Sequence, residues 1–76
     1  MDIKSNNNPS IGEQVEGVVV ESLPNTMFRV DIGNAKVILT YLAGKMRVNR
    51  IKILVGDKVR VQLDLHGERG RIIRRL

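Results

Sequence analysis

Apolar and polar residues alternate along several short segments of this chain, which is the pattern of half-buried β-strands. The pattern predicts five strands, over residues 13–23, 27–32, 36–42, 58–65 and 71–75. In the second of these strands, Phe28, Val30 and Ile32 share the face that we expect to be buried. The fourth strand (KVRVQLDL) alternates most regularly, and four of its residues are predicted to face the core: Val59, Val61, Leu63 and Leu65.

Turn residues separate these strands. Pro24-Asn25-Thr26 predicts a tight turn with proline at the first corner position and asparagine at the second, and Gly33-Asn34 predicts a two-residue hairpin. Gly17 lies inside the first strand pattern, where it indicates a bulge or a sharp bend. Residues 66–70 (HGERG) form a glycine-bounded loop before the last strand.

The strand period breaks between the third and fourth strands. Residues 44–50 (GKMRVNR) have a spacing that allows one or two helical turns, and residues 51–55 form an apolar connector. Three strands, a short helix and two more strands predict an all-β fold, a five-stranded OB-fold barrel with a short helix between strands 3 and 4. An SH3-like barrel is the alternative, but it accounts less well for the helical insertion.

The length of 76 residues allows one domain, which we expect to span residues 13–76 and to be monomeric. Residues 1–12 are polar and Asn-rich, which predicts a flexible tail. The chain has no cysteine and one histidine, His66, so we expect no disulfide and no metal site. It has no stretch typical of a signal peptide or a membrane span, and this favours the cytoplasm.

Charge is unevenly distributed along the chain. The formal net charge is +5, but residues 1–44 carry three basic and five acidic side chains, which gives −2. Residues 45–76 carry ten basic and three acidic side chains, which gives +7, and seven of the ten are arginines. Because the guanidinium fork matches the geometry of phosphate, this excess favours RNA or another polyanion as partner.

The residues show no set that would support catalysis. No serine or cysteine accompanies His66 in a nucleophile pattern, and no glycine-rich phosphate-binding motif is present, so we do not expect an enzyme. Two aromatic residues occur, Phe28 and Tyr41. Phe28 is expected in the core, and Tyr41 is the better candidate for stacking on a base. With so few aromatics, phosphate contacts and the shape of a folded RNA should dominate binding.

Four motifs together resemble bacterial translation initiation factor one and similar chloroplast proteins. They are LPNTMFRV (residues 23–30), GKMR (44–47), IKILVGDKV (51–59) and GRI (70–72). The resemblance implies an OB-fold that binds the small ribosomal subunit at the aminoacyl-tRNA site. It also implies contacts with folded rRNA and a small-subunit ribosomal protein, joint action with initiation factors two and three, and neither enzymatic activity nor a cofactor.

The resemblance also implies a set of basic residues that face the rRNA. By position these are Lys45, Arg47, Lys52, Arg69 and Arg71, with Arg74 nearby. Lys52 replaces a common arginine, so it keeps the charge but not the bidentate fork.

Three departures from the family pattern fall near these residues. Tyr41 replaces a common histidine, Arg50 replaces a common aromatic residue, and the loop of residues 64–68 lacks the usual Pro-Tyr-Asp stretch. Arg50 could take the place of the aromatic residue by stacking its guanidinium on a base. The predicted RNA-binding set therefore also includes Tyr41 and Arg50.

Two other functions are compatible with a basic barrel. One is a protein-interaction domain that docks on an acidic partner without touching nucleic acid. The other is a general RNA chaperone of the cold-shock kind, although such proteins rely on an aromatic-rich strand motif that this sequence lacks.

Overall fold

The computed structural model describes residues 12–76 as five strands and one short helix. The order along the chain is β1 (Gln14–Leu23), β2 (Met27–Gly33), β3 (Lys36–Leu42), α1 (Gly44–Val48), β4 (Lys58–Leu63) and β5 (Arg69–Arg75). This order confirms the prediction from the sequence. The tail predicted for residues 1–12 lies outside the described residues, apart from Gly12, whose N–H donates to the Leu63 carbonyl at 3.0 Å.

The strands close into a barrel in the order β1-β2-β3-β5-β4, and β4 returns to pair with β1. Neighbouring strands are antiparallel, except that β3 and β5 are parallel. A parallel pair needs a long crossover, and here α1, the connector and β4 supply it. The prediction of an all-β, five-stranded OB-fold barrel with a helix between the third and fourth strands is therefore confirmed.

Strand β1 pairs with two strands: its first half pairs with β4 and its second half pairs with β2. The change of partner occurs at Gly17 and Val18. A Cβ atom on Gly17 would lie 2.5 Å from Val30 Cγ1 and 2.7 Å from the Asp31 carbonyl oxygen, so this close approach requires glycine. The irregularity in register itself lies between Val19 and Glu21. The irregularity predicted at Gly17 is thus found between Val19 and Glu21, and Gly17 itself is a position of close approach between strands.

The core occupies the inside of the barrel. Thr40 is a buried polar residue there, and its hydroxyl donates to the Phe28 carbonyl at 2.9 Å, as a buried donor requires. Phe28 is thus a core residue, as predicted. The buried apolar residues are Val19, Phe28, Val30, Ile38, Leu42, Met46, Ile53, Val59, Val61, Leu63 and Ile72.

The prediction that Leu65 faces the core is wrong, since 61% of this residue is exposed. Strand β4 ends at Leu63 because Asp64 turns the chain: its carbonyl accepts from the Gly67 N–H and its carboxylate accepts from the Glu68 N–H, both at 3.1 Å. Strand β5 accordingly begins at Arg69, two residues before the predicted start.

In the two other hairpins, the two turn residues lie one position later in the sequence than predicted. Asn25 and Thr26 occupy the left-handed positions between β1 and β2, with φ of 64° and 57°. Between β2 and β3 the corresponding residues are Asn34 and Ala35, with φ of 56° and 61°, while Gly33 already pairs with Lys36. Two consecutive positive φ values are typical of the turns whose twist matches that of antiparallel strands.

Helix α1 is five residues long and has one buried side chain, that of Met46. Such a short helix is not stable alone, so its position depends on packing against the barrel. Asn49 follows it, and Arg50 has a positive φ of 56° that ends the helical path. Within residues 12–76, no helix has the length and apolar character that crossing a membrane requires.

Candidate nucleic-acid interface

The outer surface of β3 is apolar and lies between two strands that carry arginines. Its outward residues are Val37, Leu39 and Tyr41, because Ile38, Thr40 and Leu42 face the core. Leu39 is next to Arg69 and Tyr41 is next to Arg71 across the parallel β3–β5 pair. A row of apolar side chains beside a row of cations can receive both parts of a nucleotide, the base and the phosphate.

We call the depression at this place the tyrosine cavity. It has a volume of about 390 Å³. Tyr41 is 48% exposed there, between Met27 of β2 and Arg71 of β5, so its ring is accessible from outside. The predicted residues Tyr41, Arg69 and Arg71 are thus brought together. The cavity is lined by Tyr41, Gln62, Leu63, Asp64, Arg69, Gly70 and Arg71.

A second depression, of about 290 Å³, lies where α1 meets β5, and we call it the helix cavity. It brings Lys45 of the helix together with Arg74 and Arg75 of β5. Arg74 faces outward beside Arg60 because the register of the β4–β5 pair shifts between Arg60 and Val61. The cavity is lined by Lys45, Met46, Asn49, Ile51, Ile73, Arg74 and Arg75.

Three predicted site residues lie in neither cavity. Arg47 is two residues after Lys45, which places the two side chains about 200° apart around the helix axis, at about 100° per residue. Arg50 is exposed at the end of the helical turn, and Lys52 is exposed in the connector between the inward-facing Ile51 and Ile53. The predicted basic residues therefore lie on α1, in and beside the connector, and on β5, and they do not form one flat patch.

Ion pairing separates the cations of the barrel into two groups. Among residues 12–76, Arg29 pairs with Glu21 and Arg60 pairs with Glu16, each at 3.0 Å. No carboxylate of the same described residues lies within 4.0 Å of the predicted basic site residues. Cations without a paired carboxylate remain available to an external anion. Among residues 12–76, Lys36, Lys58 and Arg75 also have no paired carboxylate. The members of the predicted set that have none are Lys45, Arg47, Arg50, Lys52, Arg69, Arg71 and Arg74.

Asp64 is the carboxylate that lines the tyrosine cavity. Desolvation raises its pKa, but hydrogen bonds from the backbone N–H groups of the loop outweigh this effect, so that its pKa lies below the ordinary value of 3.8. Asp64 is therefore ionised at neutral pH and holds the hairpin loop. Of these groups, the Glu68 N–H lies 3.1 Å from the carboxylate oxygen Oδ1, whereas the Gly67 N–H donates to the Asp64 carbonyl.

The tertiary structure adds residues that the sequence analysis did not assign to the site. Gln62 and Asp64 line the tyrosine cavity, and Asn49 and Arg75 line the helix cavity. Gln62 could have been found, since it lies on the outward face of a regularly alternating strand. The sequence does not distinguish Arg75 from Arg74, because a run of two arginines does not show which of them faces outward.

No group of three or more metal-ligating side chains (His, Cys, Asp or Glu) is found within the part of the chain that the structure describes. The arrangement that is present can bind a polyanion through its cations and stack a base on Tyr41.

Comparison with known proteins gives results of two kinds. Residues 4–76 match the family model described as translation initiation factor 1A / IF-1. The solution structure of translation initiation factor IF-1 from the Wolbachia endosymbiont strain TRS of Brugia malayi is similar, with a TM-score of 0.72 and 38% sequence identity. That match covers 96% of this chain and 86% of the other.

The crystal structure of YjeQ from Thermotoga maritima is also similar, with a TM-score of 0.68 and 35% identity. In this case 84% of the present chain matches 23% of the other. The likeness to YjeQ therefore concerns one part of a longer protein.

Proposed function

The chain belongs to the translation initiation factor 1A / IF-1 family, and on that basis we propose that it binds the small ribosomal subunit at the aminoacyl-tRNA site through contacts with rRNA. In this proposal it acts in the cytoplasm with initiation factors two and three and contacts a small-subunit ribosomal protein. It binds and does not catalyse. Family membership also agrees with the resemblance found in the four sequence motifs.

The structural observation that carries this proposal is a set of exposed cations on β5, α1 and the connector that have no carboxylate partner within residues 12–76. A cation that binds a phosphate releases condensed counterions, and this supplies most of the sequence-independent affinity for RNA. An arginine already paired with a glutamate would first lose that partner. Arg69, Arg71 and Arg74 have no such partner within residues 12–76, in contrast to Arg29 and Arg60.

The distribution of these cations favours a folded RNA over a long single strand. Sequence-independent binding along a single strand depends on successive aromatic platforms. Here Phe28 is in the core and Tyr41 alone of the two aromatic residues is accessible. Cations on a short helix, on the chain that follows it and on a strand instead fit phosphates that are arranged on several sides, as in structured rRNA.

Charge reversal tests the proposal. The double variant R47E/R71E places negative charge on α1 and on β5, and we expect a loss of small-subunit affinity of at least about 100-fold, since like charges facing each other cost several kcal/mol. The measurement is binding to purified small subunits at several salt concentrations. It is combined with chemical footprinting of the rRNA, in which we expect wild-type protection confined to the decoding region.

The double variant K36E/K58E is the matched control. It changes the net charge by the same amount, at two exposed lysines outside the predicted RNA-binding set. We expect its affinity to stay near that of wild type. Equal losses for the two variants would mean that total charge, not this site, determines binding. Wild-type affinity for R47E/R71E would show that the site assignment is wrong.

A further inference from the structure

Two adjacent arginines at the end of β5 have different surroundings. Arg74 is opposite Arg60 on the outer face of the barrel, whereas Arg75 is opposite Val59, whose side chain is fully buried. Arg75 therefore lies over the end of the barrel, beside the connector. One of its terminal nitrogens, Nη1, donates a hydrogen bond to the Lys52 carbonyl oxygen at 2.9 Å.

The connector is held at several other points, and Lys52 lies between them. The Ile51 N–H donates to the Met46 carbonyl at 3.0 Å, and the Leu54 N–H donates to the Asp57 carboxylate at 2.9 Å. Ile53 is buried in the core. The backbone carbonyl of Lys52 is held by Arg75, from a strand that is 23 residues away in the sequence.

Four of the predicted RNA-binding cations lie on the segment of residues 44–57, which contains α1, the connector (residues 51–55) and the residues beside them. Because α1 has five residues, its position relative to β5 depends on tertiary contacts. Arg75 links this segment to the strand that carries the other three cations. The four are Lys45, Arg47, Arg50 and Lys52.

We infer that Arg75 is a positioning residue, which holds residues 44–57 against β5 so that the cations of both can meet one RNA surface. This inference rests on the proposed function. It distinguishes Arg75 from Arg74, whose side chain is free to contact a phosphate directly. The two arginines thus have different roles although they are neighbours of the same charge.

The variants R75M and R74M form a matched pair, since each removes one positive charge and keeps an unbranched stem. The measurement is the salt dependence of affinity for small ribosomal subunits. For R74M we expect the slope of log affinity against log salt to decrease in magnitude by about 0.7, the value for one lost phosphate contact. For R75M we expect an affinity loss of about threefold with an unchanged slope, as for one exposed interaction.

A double-mutant cycle tests whether Arg75 acts through the cations of residues 44–57. In a K45A/R47A/R50A/K52A background, R75M should have less than about half of its effect on affinity, because the side chains that it positions are gone. R74M should keep its full effect in the same background. Full additivity of R75M with this background would overturn the inference, and so would a decrease in slope for R75M equal to that for R74M.

Hydrogen exchange on the free protein separates this inference from the proposed function. The amides of Ile51 and Leu54 should exchange at least about threefold faster in R75M than in R74M, while the core amide of Val61 stays equally protected. If wild-type protein does not bind small subunits, the proposed function fails and the exchange result still decides whether Arg75 holds the connector. Equal exchange in R75M and wild type would overturn the inference.

Discussion

Along β1, two glutamates each pair with an arginine of a neighbouring strand, Glu21 with Arg29 of β2 and Glu16 with Arg60 of β4. On the β5 side Arg69, Arg71 and Arg74 have no such partner within residues 12–76. Both sides belong to one closed sheet. Exposed ion pairs contribute little to stability, so the main consequence of pairing is local: the glutamate beside each paired arginine cancels its charge and repels an approaching anion.

The comparison also corrects what the sequence suggests about charge. Arg60 belongs to the basic second half of the chain, yet it pairs with Glu16 of the acidic first half across the β1–β4 ladder. Position along the chain therefore does not tell which cations are available. The register between neighbouring strands does tell which cations are available, since it determines which side chains become neighbours.

We expect the largest difference in RNA affinity when two arginines are neutralised on each side in two separate variants. R69Q/R71Q and R29Q/R60Q each remove two charges, but we expect about a 100-fold loss of RNA affinity for the first, from two lost hydrogen bonds to charged groups. Its salt slope should fall in magnitude by about 1.4. R29Q/R60Q should change affinity by less than about threefold. Titration of small subunits at several salt concentrations measures both, and equal losses would remove the distinction between the two sides.

The next largest effect concerns the glycines that allow close packing on each side. Gly70 lies against Val61 and Gly17 lies against Val30, so G70A and G17A should each lower the free energy of unfolding by about 2 kcal/mol through overpacking. Urea unfolding measures this. Gly70 lies between Arg69 and Arg71, so only G70A should also weaken RNA binding of the folded protein. Weakened binding in G17A would indicate that the two sides are coupled.

Removing the aromatic ring from the β5 side should have a smaller effect. Y41L should lower RNA affinity about tenfold, since stacking of one base on an aromatic side chain is worth roughly 1–3 kcal/mol. The salt slope should not change, because no charge is lost. Y41F keeps the ring and is the control, with near wild-type affinity expected. A Y41L variant that binds normally would leave the tyrosine cavity without a role in stacking.

The smallest effect should come from acidification of the β4–β5 loop. The pKa of Asp64 is lower in the folded protein than its ordinary value of 3.8, so its stabilising contribution is present above that value. The contribution is lost as the pH falls through the lowered pKa. Wild type should therefore lose its stability advantage over D64N as the pH falls from about 5 to 2. Urea unfolding at each pH measures the difference, and a constant difference would contradict the prediction.

Most elements of the fold could be predicted because alternation is a local property of the sequence. The alternation in β4 correctly placed Val59, Val61 and Leu63 in the core. It failed at Leu65, because the pattern continues after the strand has ended and the hydrogen bonds of Asp64 have turned the chain. Local pattern carries no information about where a partner strand stops.

The candidate site was predicted less completely, for a similar reason. The resemblance in sequence motifs predicted Lys45 and Arg71, and the strand pattern made Tyr41 a better stacking candidate than Phe28. These assignments to the site remain predictions. The different surroundings of Arg74 and Arg75 could not be predicted, since they depend on the shift in register between β4 and β5. The pairing of Arg60 with Glu16 could not be predicted either, since the two residues are 44 positions apart in the sequence.

The amino-acid sequence is enough to predict the number and order of the strands, the short helix, the family and the excess of cations in the second half of the chain. These follow from residue type and spacing, which act locally or through recognisable motifs. The tertiary structure decided which cations are neutralised, which line a cavity and which one holds the connector. Those outcomes depend on contacts between residues far apart in the chain, and closure of the barrel is what brings them together.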